Sequence, residues 1–324
     1  MPQPKQRLIH KVKPEGLKRG DTIGIVAPAS SFDPERFKIG VRVLRKLGYK
    51  VKYERAMFSK YWSQPGHDKN RAEQINRMFA DSEIKAIFCA KAGYGSIDII
   101  PYLDREIIRQ NPKIFVGYSD ITILLLYLQE MTNMVVFHGP VVSSEIYDGM
   151  NYRTLDYLIQ LISKPRPLGK IEFSSVQSLG SGKATGRLVG GNLSLIVQAI
   201  GTAYDINTDD SILFLEEVGE DLETVREYFD RLKKSDKFKK VRGMVFGKMV
   251  DCFPNFGQTH SLKDILTEML AEFKLPVLFR FPSGHIKNRG ETRVTLPLGI
   301  SVTIDADKPC LTINRAAVNS TKVF

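Results

Sequence analysis

Three side chains far apart in the chain, Ser119, Glu216 and His285, are of the types that together activate a hydroxyl. Ser119 lies in Phe115-Val116-Gly117-Tyr118-Ser119-Asp120-Ile121-Thr122, an apolar run that stops at glycine and passes into a helix-forming stretch. A strand-turn-helix junction of this kind holds a hydroxyl above the end of a sheet, with helix N–H groups nearby for developing negative charge. The same serine, set before an aspartate, also suits a plain helix N-cap. Glu216 ends the continuous apolar run Ser211-Ile212-Leu213-Phe214-Leu215. A carboxylate at the end of a buried strand is held rigidly, which is what orienting an imidazole requires; alternatively Glu216 and Glu217 simply begin a polar loop, a reading that suits one of the two. His285 follows Pro282-Ser283-Gly284, just past another apolar run. From there an imidazole can swing over a crevice while its second nitrogen is fixed by a carboxylate. His138, before Gly139-Pro140 at the end of a short apolar run, is a rival general base.

These residues need a scaffold, and the hydrophobic pattern supplies one. Apolar strands at 22–27, 50–53, 84–90 and 135–137 alternate with amphipathic helices at 34–47, 69–80, 121–129 and 151–162. Strand, helix and strand in that order give a parallel sheet, whose carboxyl-end loops share one edge. Ser119 and the turn Lys91-Ala92-Gly93-Tyr94-Gly95 therefore face the same crevice. Two glycines around Tyr94 let the backbone turn tightly and present N–H groups, although the acidic residue and third glycine of a dinucleotide fingerprint are missing. The proline- and glycine-rich stretches around Pro165-Arg166-Pro167 and Gly180-Ser181-Gly182, separated by a short strand, mark a change of composition. They divide the chain into an amino-terminal α/β domain at 1–165, a linker at 166–182 and a carboxyl-terminal domain at 183–324. The second domain reads as a smaller mixed sheet, with strands at 211–215, 242–250 and 276–281 and further strands from 292 onward.

Composition excludes several classes. The chain has 324 residues, 43% hydrophobic and 26% charged, as in globular proteins. Its longest apolar run, 121–128, is far short of a membrane span, and the basic first residues lack the apolar core of a signal peptide, so a cytoplasmic location and no membrane partner are expected. Three distant cysteines argue against a disulfide framework or a zinc site, and no metal or cofactor is expected. The formal net charge of +11 is spread thinly. Its densest cluster, 231–240, sits at a helix end without a nucleic-acid-binding motif, so it reads as a solvated face that also draws in anionic substrates.

Taken in order, Val26-Ala27-Pro28-Ala29-Ser30, Gly93-Tyr94-Gly95, Gly117-Tyr118-Ser119-Asp120, Gly190-Gly191-Asn192-Leu193, Leu213-Phe214-Leu215-Glu216 and Gly284-His285 resemble the LD-carboxypeptidase family of serine peptidases, which includes the microcin-immunity peptidases. The resemblance covers nearly the whole chain. It implies a flavodoxin- or Rossmann-like parallel-sheet domain beside a smaller, barrel-like mixed-sheet domain. It also implies Ser119 as nucleophile, His285 as base and then acid, and Glu216 as the residue that orients it, with the N–H groups of Gly93 and Asp120 forming the oxyanion hole. The reaction implied is release of terminal D-alanine from a murein tetrapeptide during peptidoglycan recycling, by a homodimer. A carboxypeptidase must hold a free carboxylate, for which Lys91, Arg289 and Arg293 are the candidates. Cleavage of a peptidyl-nucleotide of the microcin type, and ligand binding without turnover, are the alternatives. One departure from the family pattern is Ala92, where glycine is usual; a positive φ there would strain alanine.

Overall fold

A computed structural model describes residues 11–59, 66–254, 260–286, 288 and 290–320. Trp62, Tyr61 and Arg289 lie outside the described residues. The first sheet is built from β1 (Thr22–Val26), β2 (Lys50–Tyr53), β3 (Ile84–Cys89), β4 (Ile114–Gly117) and β5 (Val136–His138). They run parallel in the order β2-β1-β3-β4-β5. The intervening helices are α1 (Pro34–Lys46), α2 (Asp68–Ala80), α3 (Arg105–Gln110), α4 (Thr122–Thr132) and α5 (Tyr152–Ser163). β3 and β4 are buried almost along their whole length, which is why they read as continuous apolar runs rather than alternating ones. α4 is buried nearly all round, as its uninterrupted Ile123-Leu124-Leu125-Leu126 requires.

Strand order reverses between β1 and β3, and a crevice opens outside the carboxyl ends of such strands. There the Tyr94 N–H donates to Ser30 Oγ at 2.9 Å, joining the loops after β3 and β1. His138, expected just past a strand, is instead the last residue of β5, so its backbone is held in the sheet.

The second sheet uses β6 (Gly169–Glu172), β7 (Gln177–Ser178), β8 (Lys183–Asn192), β9 (Ser211–Val218), β10 (Gly243–Val250) and β11 (Val277–Phe279). After β12 (Leu296–Leu298), the strands β13 (Ser301–Asp305) and β14 (Cys310–Ile313) complete it, in the order β6-β14-β13-β8-β9-β10-β11-β7. The four central strands from β8 to β11 are parallel and the flanking ones antiparallel. The sheet curls, bringing β11 against β13 although the two are not neighbours in the order. Helices α6 (Leu193–Ala199), α7 (Leu222–Lys234) and α8 (Leu262–Leu270) belong to this half. No helix among the described residues is long and apolar enough to cross a membrane.

Two features depart from the expected division. Residues 169–172 and 177–178, expected within a linker, form the two edge strands β6 and β7. Proline and glycine punctuation bounds short edge strands as readily as it marks linkers, because an edge strand needs pairing on one side only. β12 leaves its own half and pairs antiparallel with β5, extending the first sheet.

The halves are tied where their strands end. The Asn192 N–H donates to Thr122 Oγ1 at 3.0 Å, the Arg293 N–H to Thr154 Oγ1 at 2.8 Å, and Asn151 Nδ2 to the Gly290 carbonyl at 3.0 Å. β8 can pack tightly on β9 because Gly190 has φ 134° and a Cβ there would stand 1.8 Å from the Phe214 carbonyl oxygen. Gly190→Ala should therefore displace the strand that carries Glu216 and destabilise the fold by about 3 kcal/mol, the upper end of ordinary overpacking costs. Urea unfolding measures this, and an unchanged midpoint would contradict it.

Candidate active site

β4 ends at Gly117, where a Cβ would stand 2.6 Å from Ile121 Cγ2, so the chain can fold back only over a glycine. Tyr118 is fully extended, and Ser119 then takes φ 62°, the left-handed region that non-glycine residues rarely occupy. A short 3-10 turn, Ser119–Ile121, leads into α4, and among the described residues no side chain caps either helix. The plain N-cap alternative for Ser119 is thus not what the chain builds. A half-buried serine is held in a strained conformation at a strand-to-helix corner, an arrangement that persists only when its surroundings enforce it.

Asp120 supplies much of that enforcement. Its side chain points inward, accepting from the Ser96 N–H at 2.9 Å, while the Ser96 hydroxyl donates to the Asp120 carbonyl. Burial raises the Asp120 carboxyl, and the hydrogen bonds from Ser96 and Gly95 oppose that rise. The serine turn and the glycine turn are thereby locked together. Gly93 has φ 120°, and a Cβ on it would stand 2.3 Å from Ser30 Oγ. Ala92 is not among the positive-φ residues, so alanine in place of the usual glycine brings no strain. The Asp120 amide lies in the first turn before α4, where N–H groups have no acceptor within the helix.

Glu216 is fully buried on β9. Its Oε2 accepts from the His285 backbone N–H at 3.0 Å and pairs with His285 Nδ1 at 2.7 Å. That double contact depends on Gly284, whose φ is 93° and whose Cβ would lie 2.5 Å from the same oxygen. Burial pushes the Glu216 carboxyl upward, but His285 and His138 outweigh it and leave the group well below the ordinary carboxylate range. For His285, burial works downward, and the Glu216 charge overcomes it to raise the imidazole above its usual value. The His285 ring lies 5.0 Å, centroid to centroid, from the ring of Tyr118, the residue before Ser119.

Glu217 faces elsewhere. Its Oε2 accepts from the Ser194 N–H at 2.8 Å and its Oε1 from Asn192 Nδ2 at 2.8 Å, so it caps the start of α6. Successive strand residues point to opposite faces, and this separates the two adjacent glutamates. His138 is buried behind the site, with Nε2 3.9 Å from Glu216 Oε1. His67 is exposed at the start of α2.

Of the expected carboxylate-binding cations, Lys91 donates to the Ser31 carbonyl at 3.1 Å, beside the glycine turn. Arg293 is buried, 2.9 Å from Glu145 Oε1 and with its guanidinium 5.0 Å from the centre of the Tyr118 ring. The Tyr118 hydroxyl donates to Glu145 at 2.7 Å, completing a buried cluster beneath the serine turn. Sequence reasoning missed Glu145, which lies in an irregular turn, Val142–Ile146, with no motif around it. Tyr118 carried a signal only as the neighbour of Ser119.

The profile of the LD-carboxypeptidase N-terminal domain matches residues 23–139 and that of the LD-carboxypeptidase C-terminal domain residues 185–304. The chain is 33% identical over 295 residues to the probable murein peptide carboxypeptidase of Bacillus subtilis (strain 168), covering 90% of this chain and 91% of that one. It is 29% identical over 350 residues to the microcin C7 self-immunity protein MccF of Escherichia coli, covering 97% and 98% respectively. The solved structure of MccF in complex with glutamyl sulfamoyl guanosine superposes with a TM-score of 0.83 at 26% identity, covering 95% of this chain and 99% of that one.

Because the charge and hydrogen bond of Glu216 are the main influences lifting His285 against its burial, Glu216→Gln should drop the imidazole midpoint below 6.5, the ordinary value from which the wild type is raised. Proton NMR titration of the His285 ring reads this directly. A midpoint that stays high in the variant would show that another group sets it.

Proposed function

The chain belongs to the LD-carboxypeptidase family, and we propose that within it Ser119 is the nucleophile, His285 the general base and then acid, and Glu216 the residue that orients His285. It is a serine-type carboxypeptidase hydrolase. The observation that carries the assignment is the double contact of Glu216 Oε2 with the backbone N–H and Nδ1 of His285. A proton fixed on Nδ1 leaves Nε2 as the basic nitrogen, and a serine hydroxyl is a poor nucleophile until such a base takes its proton. Ser119 would come from the domain at 1–165, and Glu216 and His285 from that at 183–324, so the hydrogen bonds between the halves support the site as well as the fold.

In the reaction, His285 removes the Ser119 proton as Oγ attacks the scissile carbonyl. Negative charge gathers on the carbonyl oxygen, and the N–H groups of Gly93 and Asp120 stabilise it. His285 then passes its proton to the departing amine, leaving an acyl-enzyme that water hydrolyses by the same steps. We assign the amine to D-alanine at the end of a murein tetrapeptide, the bond cut being the L,D-amide before it. The named activity of the Bacillus relative favours this substrate. Of the expected cations, Arg293 is engaged by Glu145, and Lys91 beside the glycine turn is our choice for the substrate carboxylate. In this reading a cytoplasmic homodimer acts on recovered wall peptides. The likeness to the MccF structure favours the second reading, cleavage of an aminoacyl or peptidyl nucleotide.

D-alanine release from murein tetrapeptide, assayed beside an aminoacyl sulfamoyl nucleoside, separates the two; turnover of the nucleoside alone would overturn the murein assignment. Ser119→Ala and His285→Ala should each lower turnover by roughly three or more powers of ten, with little further loss when combined. Glu216→Gln should cost less, and a greater loss in Glu217→Gln would refute the choice of acid. Because the base must be neutral and its midpoint is raised, kcat/KM should climb with pH through an inflection above 6.5. An inflection below that value would refute His285 as the base.

A further inference from the structure

Glu216 has a second oxygen, and the triad reading leaves it without a role. Among the described residues, Glu216 Oε1 is buried and has no hydrogen-bond partner, and the same is true of His138 Nε2. These two atoms face each other at 3.9 Å, in a place where the side chains are 0% and 1% exposed. Two adjacent orphans in a dry site are costly separately and complementary together. At 3.9 Å the pair stands somewhat beyond hydrogen-bond length, and a small adjustment of either side chain would bring the two atoms into direct contact. His138 is well held for this purpose. Its backbone pairs with Gly117 on one side and Leu296 on the other, and its ring packs edge-on against Phe214 at 5.1 Å and Tyr118 at 5.9 Å.

We propose that His138 is a positioning residue: with its proton on Nε2 it donates to Glu216 Oε1, so that one carboxylate is gripped by two imidazoles and its orientation toward His285 is fixed. This rests on the reading of Glu216 as the orienting acid. The contact does two things. It stops the carboxylate rotating about its terminal torsion, and it draws charge toward Oε1, moderating the pull of Oε2 on His285. The other ionisable groups around the carboxylate are Tyr118 from the serine turn, Glu217 from the same strand, Cys252 beyond β10, and the Arg293–Glu145 pair. Among the described residues, the two histidines are the ionisable groups in contact range of it. Without the His138 donor, Oε2 carries more charge and His285 should be harder to deprotonate.

The test compares wild type with His138→Phe, which keeps a ring but no donor, and His138→Gln, which restores one. Labelling of Ser119 by a fluorophosphonate is followed against pH, and the His285 midpoint is read by NMR. Labelling in the Phe variant should slow by roughly tenfold to a hundredfold, with both the rate inflection and the His285 midpoint moved to higher pH. The Gln variant should recover most of the rate and return the midpoint toward the wild-type value. A Phe variant with wild-type rate and midpoint would overturn the inference, as would two folded variants equally slow with unmoved midpoints, which would reduce His138 to packing. Should the wild type resist labelling while its His285 midpoint still depends on His138, the nucleophile assignment falls and the inference stands. In the wild type alone, nitrogen-15 shifts must show the His138 proton on Nε2; a proton on Nδ1 would overturn the inference without any variant.

Discussion

A carboxylate shut away from water must be matched at once by donors or it will take up a proton, and Glu216 is such a carboxylate. Everything around it can be understood as meeting that demand. The His285 backbone and ring donate to one oxygen, a second imidazole faces the other, and the net result is a group that stays charged despite complete burial. A charge kept in a medium of low polarity acts strongly on its neighbours, so the same burial that threatens the ion makes it effective in setting the tautomer and basicity of His285. Two glycines make the arrangement sterically possible. Gly284 brings the His285 amide up to Oε2, and Gly247 leaves room for the Glu216 side chain, since a Cβ there would stand 3.1 Å from Glu216 Cβ.

The serine arrives from the other half, which places a second demand on the structure: the packing between halves must be as precise as a hydrogen bond. The ties are accordingly short, directional and close to the site. Asn192 follows the glycine pair at the end of β8 and meets Thr122 one turn beyond Ser119. β12 crosses back to pair with β5, so the segment that begins at His285 is anchored to the sheet carrying the serine within a dozen residues. Arg293, inside that segment, is held by Glu145 and lies over the Tyr118 ring. Buried ion pairs add little net stability, but they are demanding of geometry, and fixing the loop is a task that suits them.

The residues proposed for the chemistry stood out because each lies at or just past the end of an apolar run, with a glycine beside His285 and another two residues before Ser119, a local pattern that needs no knowledge of the fold. The parallel first sheet was legible for a similar reason, since alternating strands and helices leave few other topologies. What was hidden depends on distant partners. That Glu216 and not Glu217 meets the histidine follows from strand alternation, yet which face was the site's could only be known once Asn192 and Ser194 were seen to occupy Glu217. One short strand between the proline- and glycine-rich stretches was legible, but its place at the sheet's edge and the second strand there, β7, depend on partners far along the chain. His138 was misread by a single residue: placed inside β5 and not after it, its backbone is held in the sheet and its imidazole faces the back of Glu216.

Strain at Ser119 links the site to the core. A non-glycine residue in the left-handed region costs about 1–3 kcal/mol, and nothing local to the serine compensates for it. The compensation lies on either side. β4 before it is buried throughout, α4 after it is almost wholly so, and Asp120 is hydrogen-bonded to Ser96 across the crevice. Relaxing the corner would require withdrawing apolar helix from the core or breaking the link to the glycine turn, and either costs more than the strain itself. Hence the unusually apolar α4 has a role beyond filling space: it is the anchor that lets an unfavourable backbone conformation persist at the serine proposed as nucleophile.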